Sequence, residues 1–322
     1  MARAYASAVI KAPIEVVWSL IRNFNGLPDW VPTVVDSKIE AGLDPDVVGC
    51  VRSIHTVDGK HVREKLLTLD DAQHTFAYNF ETPAYPITNY IATVRLMPVT
   101  HTDQTFAEWE AVFDEAPGDE GKYVQIVSND VFAAGWKALN AKIKKEKLQK
   151  PDSAERWKAW APNKVWTSRV LKAPVESVWK AMRDFAGMGD WHDEITKMTM
   201  LNKARSDKVS GVRDFYFGDA HLNEELLFLC DQTRSFLYRI TKSEMPWMNY
   251  VSGPRLWPVT ADNTTFGVWT GDWVASPQDD LVLIPRTEAN VYQRAFATLE
   301  AKLRPQGKGR YGAHGAGHTA ET

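Results

Sequence analysis

Several things are scarce in this chain, and each scarcity removes a class of function. Two of its 322 residues are cysteine, Cys50 and Cys230, and they fall in separate halves, so no disulfide framework is expected. No apolar run approaches the roughly 20 residues that a bilayer-spanning helix needs. Neither sign of charge dominates: 38 Lys and Arg against 41 Asp and Glu leave a net charge of −3, which argues against binding to nucleic acid or to an anionic membrane. There is no glycine-rich nucleotide loop, no nucleophile elbow, and no His/Cys/Asp cluster at metal-ligand spacing. Neither a metal nor an organic cofactor is therefore expected. The opening "MARAYASAVIKAPIEVVW" lacks an apolar stretch followed by a small-residue cleavage site, and a cytoplasmic location is the expectation.

What the chain does have is tryptophan and repetition. Thirteen Trp in a chain that is 44% hydrophobic and 25% charged point to a globular protein with aromatic-rich interiors. "PITNYIATVRLMPVT" at 86–100 returns as "PWMNYVSGPRLWPVT" at 246–260. Residues 61–113 align with 221–273 without a gap, and 19 of the 53 pairs are identical. Further upstream the offset grows by one: "KAPIEVVW" at 11–18 meets "KAPVESVW" at 172–179, with one residue lost near Gly49 and Gly211. A period this long is a domain rather than a solenoid unit. Copy 1 is read as 1–148, a linker as 149–163, copy 2 as 164–304, and a Gly-rich tail as 305–322, expected to be disordered. Trp157 and Trp160 of the linker are expected to dock on a domain face. The segment around 157–166 is the candidate glue for an intramolecular pseudo-dimer, the chain as a whole being a monomer.

Each copy spells the same element order. A short strand ("AYASAVI") leads through Ala-Pro into an amphipathic helix, with Pro13 near its first turn. Alternating runs separated by turn signals follow, and "VDGK" has Asp-Gly at its centre as a hairpin turn should. A long helix closes each copy, about 123–147 and 285–303. The fold class is α+β, a curved antiparallel sheet wrapped around the last helix.

That order, the "AP-x-E-x-VW" opening, "EKLLTLDD" at 64–71 and "TNY" at 88–90 resemble the START-related SRPBCC superfamily. It includes the polyketide cyclase/dehydrase family, birch pollen allergen and the plant abscisic-acid receptors. The resemblance covers both copies. It implies two tandem helix-grip domains, each a seven-stranded antiparallel sheet around a C-terminal helix, with an apolar cavity between them for a hydrophobic small molecule. It also implies that Glu64 and, by the repeat, Glu224 point into the cavity, together with Tyr90 and Tyr250, and with Tyr78 and Tyr238 twelve residues earlier. The receptors' carboxylate-gripping Lys falls on Val35, so a receptor for an acidic hormone is not implied.

Counting by twos from Tyr250 adds Ser252 to the cavity face. Trp30 and Trp191 follow the first helix of each copy, and His192 comes directly after Trp191, either at the cavity mouth or on a helix surface. Glu110 has two readings. Its spacing to later residues places it inward, whereas Trp109, Ala111 and Phe113 form the apolar parity and place it outward. An inward Glu in an apolar cavity would have its pKa raised by desolvation and suit acid/base work, with a Tyr hydroxyl to hold a carbonyl. Two functions fit. One is a cofactor-independent cyclase, dehydratase or lyase acting on an aromatic or polyketide-like molecule, with Glu64, Tyr90, Glu224 and Tyr250 catalytic. The other is a non-catalytic carrier or sensor for a hydrophobic small molecule or lipid.

Overall fold

The structure, a computed structural model, describes residues 1–151 and 163–304. The expectations for Trp157, Trp160 and the tail lie outside the described residues. Domain 1 runs β1 (Ala2–Ile10), α1 (Ile14–Ile21), β2 (Val34–Ile39), β3 (Val51–Thr56), β4 (His61–Asp70), β5 (Thr75–Thr82), β6 (Ile87–Val99) and β7 (Gln104–Glu115). Its long closing helix is α2 (Lys122–Gln125), a π-helical segment (Ile126–Ala133) and α3 (Ala134–Glu146). Domain 2 repeats this as β8 (Val165–Leu171), α4 (Val175–Arg183), β9 (Ile195–Met200), β10 (Val212–Phe217), β11 (Ala220–Cys230), β12 (Ser235–Lys242), β13 (Met248–Val259) and β14 (Thr264–Val274). It closes with α5 (Pro277–Arg286), a π-helical segment (Thr287–Gln293) and α6 (Arg294–Leu303). Each sheet has seven antiparallel strands, in the orders β1-β7-β6-β5-β4-β3-β2 and β8-β14-β13-β12-β11-β10-β9. Among the described residues no helix is long and apolar enough to cross a membrane.

Alternation builds the sheets. In β6, Tyr90, Ala92, Val94 and Leu96 face the core while Ile91 and Arg95 face solvent. The repeated "VW" and the Asp that ends "LDD" find each other in space. Trp18 and Arg22 both donate to the Asp71 carboxylate, at 2.9 and 2.6 Å, and Trp179 and Arg183 do the same to Asp231. This pins the first helix to the turn after the fourth strand. Behind it lie fully buried Trp18, Phe24 and Trp136, each stabilising the fold by about 1.5–3 kcal/mol.

Three sequence expectations change. The last helix of domain 2 begins at Pro277 rather than Pro285, because the Ser276 hydroxyl caps it by accepting from the Asp279 N–H. Pro285 sits near the end of α5, just before the π-helical segment. A proline, lacking a ladder donor, reads in sequence as an edge or bulge residue, yet Pro254 lies in β13, an interior strand. Its ladder to β12 skips from Ser235↔Arg255 to Tyr238↔Ser252, which accommodates the missing donor. Gly253 permits this, since a Cβ there would lie 1.9 Å from the Phe236 carbonyl oxygen. Finally, Arg52 and Arg213 occupy equivalent places at the upstream offset, so the lost residue belongs to the β10–β11 hairpin and not to the Gly49 region.

The repeated Pro-Val-Thr has its reason between the domains. The Ser7 N–H donates to Thr260 Oγ1 at 2.8 Å, the Thr260 N–H donates to Ser7 Oγ at 2.9 Å, and Ser7 Oγ donates to the Pro258 carbonyl at 2.6 Å. The same three bonds recur with Ser168, Thr100 and Pro98, at 2.9, 2.9 and 2.7 Å. Between the two sets, Phe106 stacks on Phe266 with centroids 4.4 Å apart and planes 6° apart. Val99, Val259 and Val268 complete the apolar centre, with Trp166 against it.

Candidate functional site

In domain 1 the sheet and the closing helix do not meet everywhere. They leave a cavity of about 450 Å³. Its walls are Leu27, Val31, Ile54, Val62, Phe80 and Trp109 on one side and Val127, Val131, Ala134 and Gly135 of the helix on the other. Asp58, Lys60, Tyr85 and Asp130 stand at its outer end, and Arg52, Glu64, Tyr78 and Tyr90 at its inner end.

A bulge aims Tyr90. Asn89 adopts φ 53°, and the β6–β7 register shifts between Thr88 and Ile91. Two successive residues therefore face out, and Ile87 and Tyr90 both face in. The Asn89 amide donates to Asp114 and holds the bend. Asn249 repeats the φ at 53° ahead of Tyr250.

Glu64 shares the inner parity of β4 with Val62 and Leu66 and is buried. Directly across the ladder, Arg52 of β3 pairs with it. Arg52 Nε donates to Glu64 Oε2 at 2.6 Å and Nη1 to the Phe24 carbonyl at 2.5 Å. The guanidinium lies 3.9 Å above the Phe24 ring, a cation–π contact. Among the described residues the second oxygen of Glu64 has no partner. The lone carboxyl expected from the sequence is thus one half of a buried ion pair. Beside it, Tyr78 accepts the Trp109 indole N–H at 3.1 Å, and the Tyr78 and Tyr90 ring centroids lie 6.2 Å apart. Burial pushes both phenols above their ordinary value, Tyr90 further through Tyr78 and the nearby Glu64 charge.

Domain 2 keeps the polar floor and loses the room. Arg213 Nε donates to Glu224 Oε2 at 2.7 Å, and Nη1 donates to the Phe185 carbonyl at 2.7 Å. Burial raises the Glu224 carboxyl, opposed by Arg213. The cavity, however, is about 70 Å³. Phe215 stands for Ile54, Phe217 for Thr56, His192 for Val31 and Tyr292 for Phe132. Tyr292 is the hub of a hydroxyl chain beneath this cavity. Ser252 donates to the Thr270 carbonyl at 2.8 Å and accepts the Trp269 indole at 3.0 Å. Its 2.8 Å contact with Tyr292 therefore takes the Tyr292 proton, and the 2.6 Å Tyr250–Tyr292 contact takes the Tyr250 proton. Gly271 leaves the space for this, since a Cβ there would lie 2.1 Å from the Tyr292 oxygen.

The remaining expected residues divide. Tyr238 and Tyr250 line the small cavity; Ser252 lies beneath it within the hydroxyl chain. His192 is buried and lines it too, neither at a mouth nor on a helix surface. Its Nδ1 accepts the Glu194 N–H at 3.3 Å, and burial lowers its pKa. Trp30 stacks on Trp136 and lies beside Trp109, under the large cavity rather than along it. Trp191 is a partly buried packing residue. Glu110 is on the outer face, where Arg3 donates to it at 2.5 and 3.1 Å. The inward reading of Glu110 is thereby corrected, because Trp109, Ala111 and Phe113 take the inner parity.

Arg52 and Arg213 were missed from the sequence. Their signal was present: an Arg in "VRSI" and "VRDF" sits on the apolar parity of Ile54 and Phe215 in both copies.

A family model described as polyketide cyclase / dehydrase and lipid transport matches residues 1–144 and 162–304. The abscisic acid receptor PYL7 of Arabidopsis thaliana is 29% identical over 92 residues, 28% of this chain. The chain spans 42% of the length of that receptor. Among solved structures, XoxI from Bacillus cereus is 28% identical, covers 46% of this chain and 100% of its own, and has a TM-score of 0.42. The di-domain ARO/CYC BexL from the BE-7585A biosynthetic pathway is 10% identical, covers 95% of this chain and 100% of its own, and has a TM-score of 0.40.

Proposed function

This chain belongs to the polyketide cyclase / dehydrase and lipid transport family, and we propose that it holds one largely hydrophobic small molecule, in the cavity of domain 1. The observation that carries this reading is the difference in volume, about 450 Å³ against about 70 Å³. Ligand cavities generally run from about 300 to 1,000 Å³, so domain 1 has room for a ligand. Domain 2, at about 70 Å³, falls well below that range. Domain 2 then acts as the structural partner. The reciprocal Ser7/Thr260 and Ser168/Thr100 contacts support an intramolecular pseudo-dimer, monomeric as a chain.

Carrier or sensor is the form this reading takes. A lone desolvated carboxyl would be the natural general acid, and Glu64 is paired with Arg52 instead. The same pair persists in domain 2, whose cavity is far smaller, so its retention follows from the architecture. A cyclase or dehydratase is the second reading. It is favoured by one observation: the same cavity is lined by the Tyr78 and Tyr90 hydroxyls and by a Glu64 oxygen that has no partner among the described residues. There Glu64 would take the proton in an enolisation, aldol-type closure or dehydration, with a Tyr hydroxyl holding the carbonyl oxygen.

Native mass spectrometry after incubation with mixed polyketides, sterols and plant phenolics tests this. One bound molecule per chain is expected, and none in Ala134→Trp, which fills the domain 1 cavity. Two bound molecules per chain, or binding that survives Ala134→Trp, overturns the assignment. A bound compound that loses water during incubation decides for the dehydratase.

A further inference from the structure

Resting on the reading of domain 1 as a binding cavity, we infer that its ligand presents a neutral hydroxyl group, phenolic or alcoholic, to the inner end of the cavity, and not a carboxylate. Two groups there await a partner. One is the free oxygen of Glu64, which can only accept a hydrogen bond while the ion pair with Arg52 stands. The other is a tyrosine proton. Tyr78 and Tyr90 carry two hydroxyl protons between them, and a bond between the two could take at most one. The Trp109 indole donates to Tyr78 and so takes up no proton. At least one O–H remains, whichever tyrosine carries it.

The inner end therefore offers both an acceptor and a donor along one cavity wall. A hydroxyl satisfies both, donating to Glu64 and accepting from the tyrosine. An ether or ketone satisfies the tyrosine alone. A carboxylate meets the Glu64 charge with no cation to balance it. Arg52 is already neutralised by Glu64 and anchored on the Phe24 carbonyl. Lys60 stands at the outer end, paired with Asp58 at 2.8 Å. A buried charge without its own partner is strongly disfavoured. Domain 2 supplies the contrast. There Tyr292 accepts the Tyr250 proton and passes its own to Ser252, so those hydroxyls offer nothing to a guest.

Three shape-matched probes on the full chain near neutral pH decide the matter: 2-naphthol, 2-methoxynaphthalene and 2-naphthoate, titrated by calorimetry with Ala134→Trp as the site control. The expected result is 2-naphthol tighter than each of the others by about tenfold or more. Equal affinity for naphthol and its methyl ether overturns the hydroxyl inference and leaves the cavity reading intact. Naphthoate binding as tightly as naphthol overturns it as well. Failure of all three to bind overturns the cavity reading itself, and the inference with it. Glu64→Gln sharpens the result where it folds, because freeing the Arg52 charge should reverse the order in favour of naphthoate.

Discussion

The two domains share a skeleton and differ in what occupies its middle. Arg52–Glu64 and Arg213–Glu224, Trp18–Asp71 and Trp179–Asp231, Asn89 and Asn249 are superimposable devices. Yet one domain encloses about 450 Å³ and the other about 70 Å³. Around the two cavities His192, Phe215 and Phe217 stand in place of Val31, Ile54 and Thr56. Residues kept in both copies therefore report on how the sheet grips the helix. Residues that differ report on what the cavity can hold. A buried Glu kept twice is, by this logic, weak testimony to catalysis.

The comparison breaks or sharpens under four measurements. The largest effect is expected from Arg52→Met and Arg213→Met, each of which strands a buried carboxylate. Denaturant unfolding should show a loss of about 3–5 kcal/mol for each. Equal losses make the pair architectural in both domains, and a much smaller loss at Arg52 would return Glu64 to function. Next comes Gly271→Ala, which drives a methyl into the Tyr292 hydroxyl and should destabilise domain 2 by about 1–3 kcal/mol. Domain 1 already carries Ala111 at the equivalent place and Phe132 facing it. The double variant Gly271→Ala with Tyr292→Phe should accordingly cost less than the sum of its parts, with a coupling of about 0.5–3 kcal/mol in a double-mutant cycle.

Tyr292→Phe alone leaves the Tyr250 and Ser252 hydroxyls short of a partner and should cost about 1–3 kcal/mol by the same unfolding measurement. The smallest effect is a pH dependence confined to domain 2. Burial depresses His192 in the fold, against the pull of Asp193 and Glu194. The unfolded chain thus binds the extra proton first, so stability is full above the ordinary His value of about 6.5 and declines as pH falls through it. His192→Val, which copies Val31, should flatten that decline in thermal unfolding followed between pH 7.5 and 5, about the window in which an ordinary His titrates.

Much of the fold was legible because it is written in periodicities. The offset alignment located two copies, and alternation together with the closing helical pattern gave the sheet and its grip helix. The start of the domain 2 helix was misplaced because Pro285 resembles a first-turn proline, whereas the Ser276 cap lies eight residues earlier. At the site, Glu64, Tyr78 and Tyr90 were placed on one face by parity. Their partners were not, because Arg52 comes from the neighbouring strand and its pairing depends on register. Cavity size was out of reach for a deeper reason. It is the small remainder after many side-chain volumes are packed against each other, and a change of Ile54 to Phe215 reads in sequence as one apolar residue for another.

The seam between the domains carries a consequence for how the chain is made. Strand β1 leaves the ribosome well before β13, yet Ser7 bonds Thr260, 253 residues further on. Phe106 likewise waits for Phe266. Domains generally fold in order of synthesis, so the finished first domain would carry an uncovered apolar seam, around Val99 and Phe106, until nearly all of the second has emerged. On a crowded polysome, neighbouring nascent chains would present that same self-complementary surface to each other. Having the two halves on one polypeptide keeps the correct mate at high local concentration when it arrives.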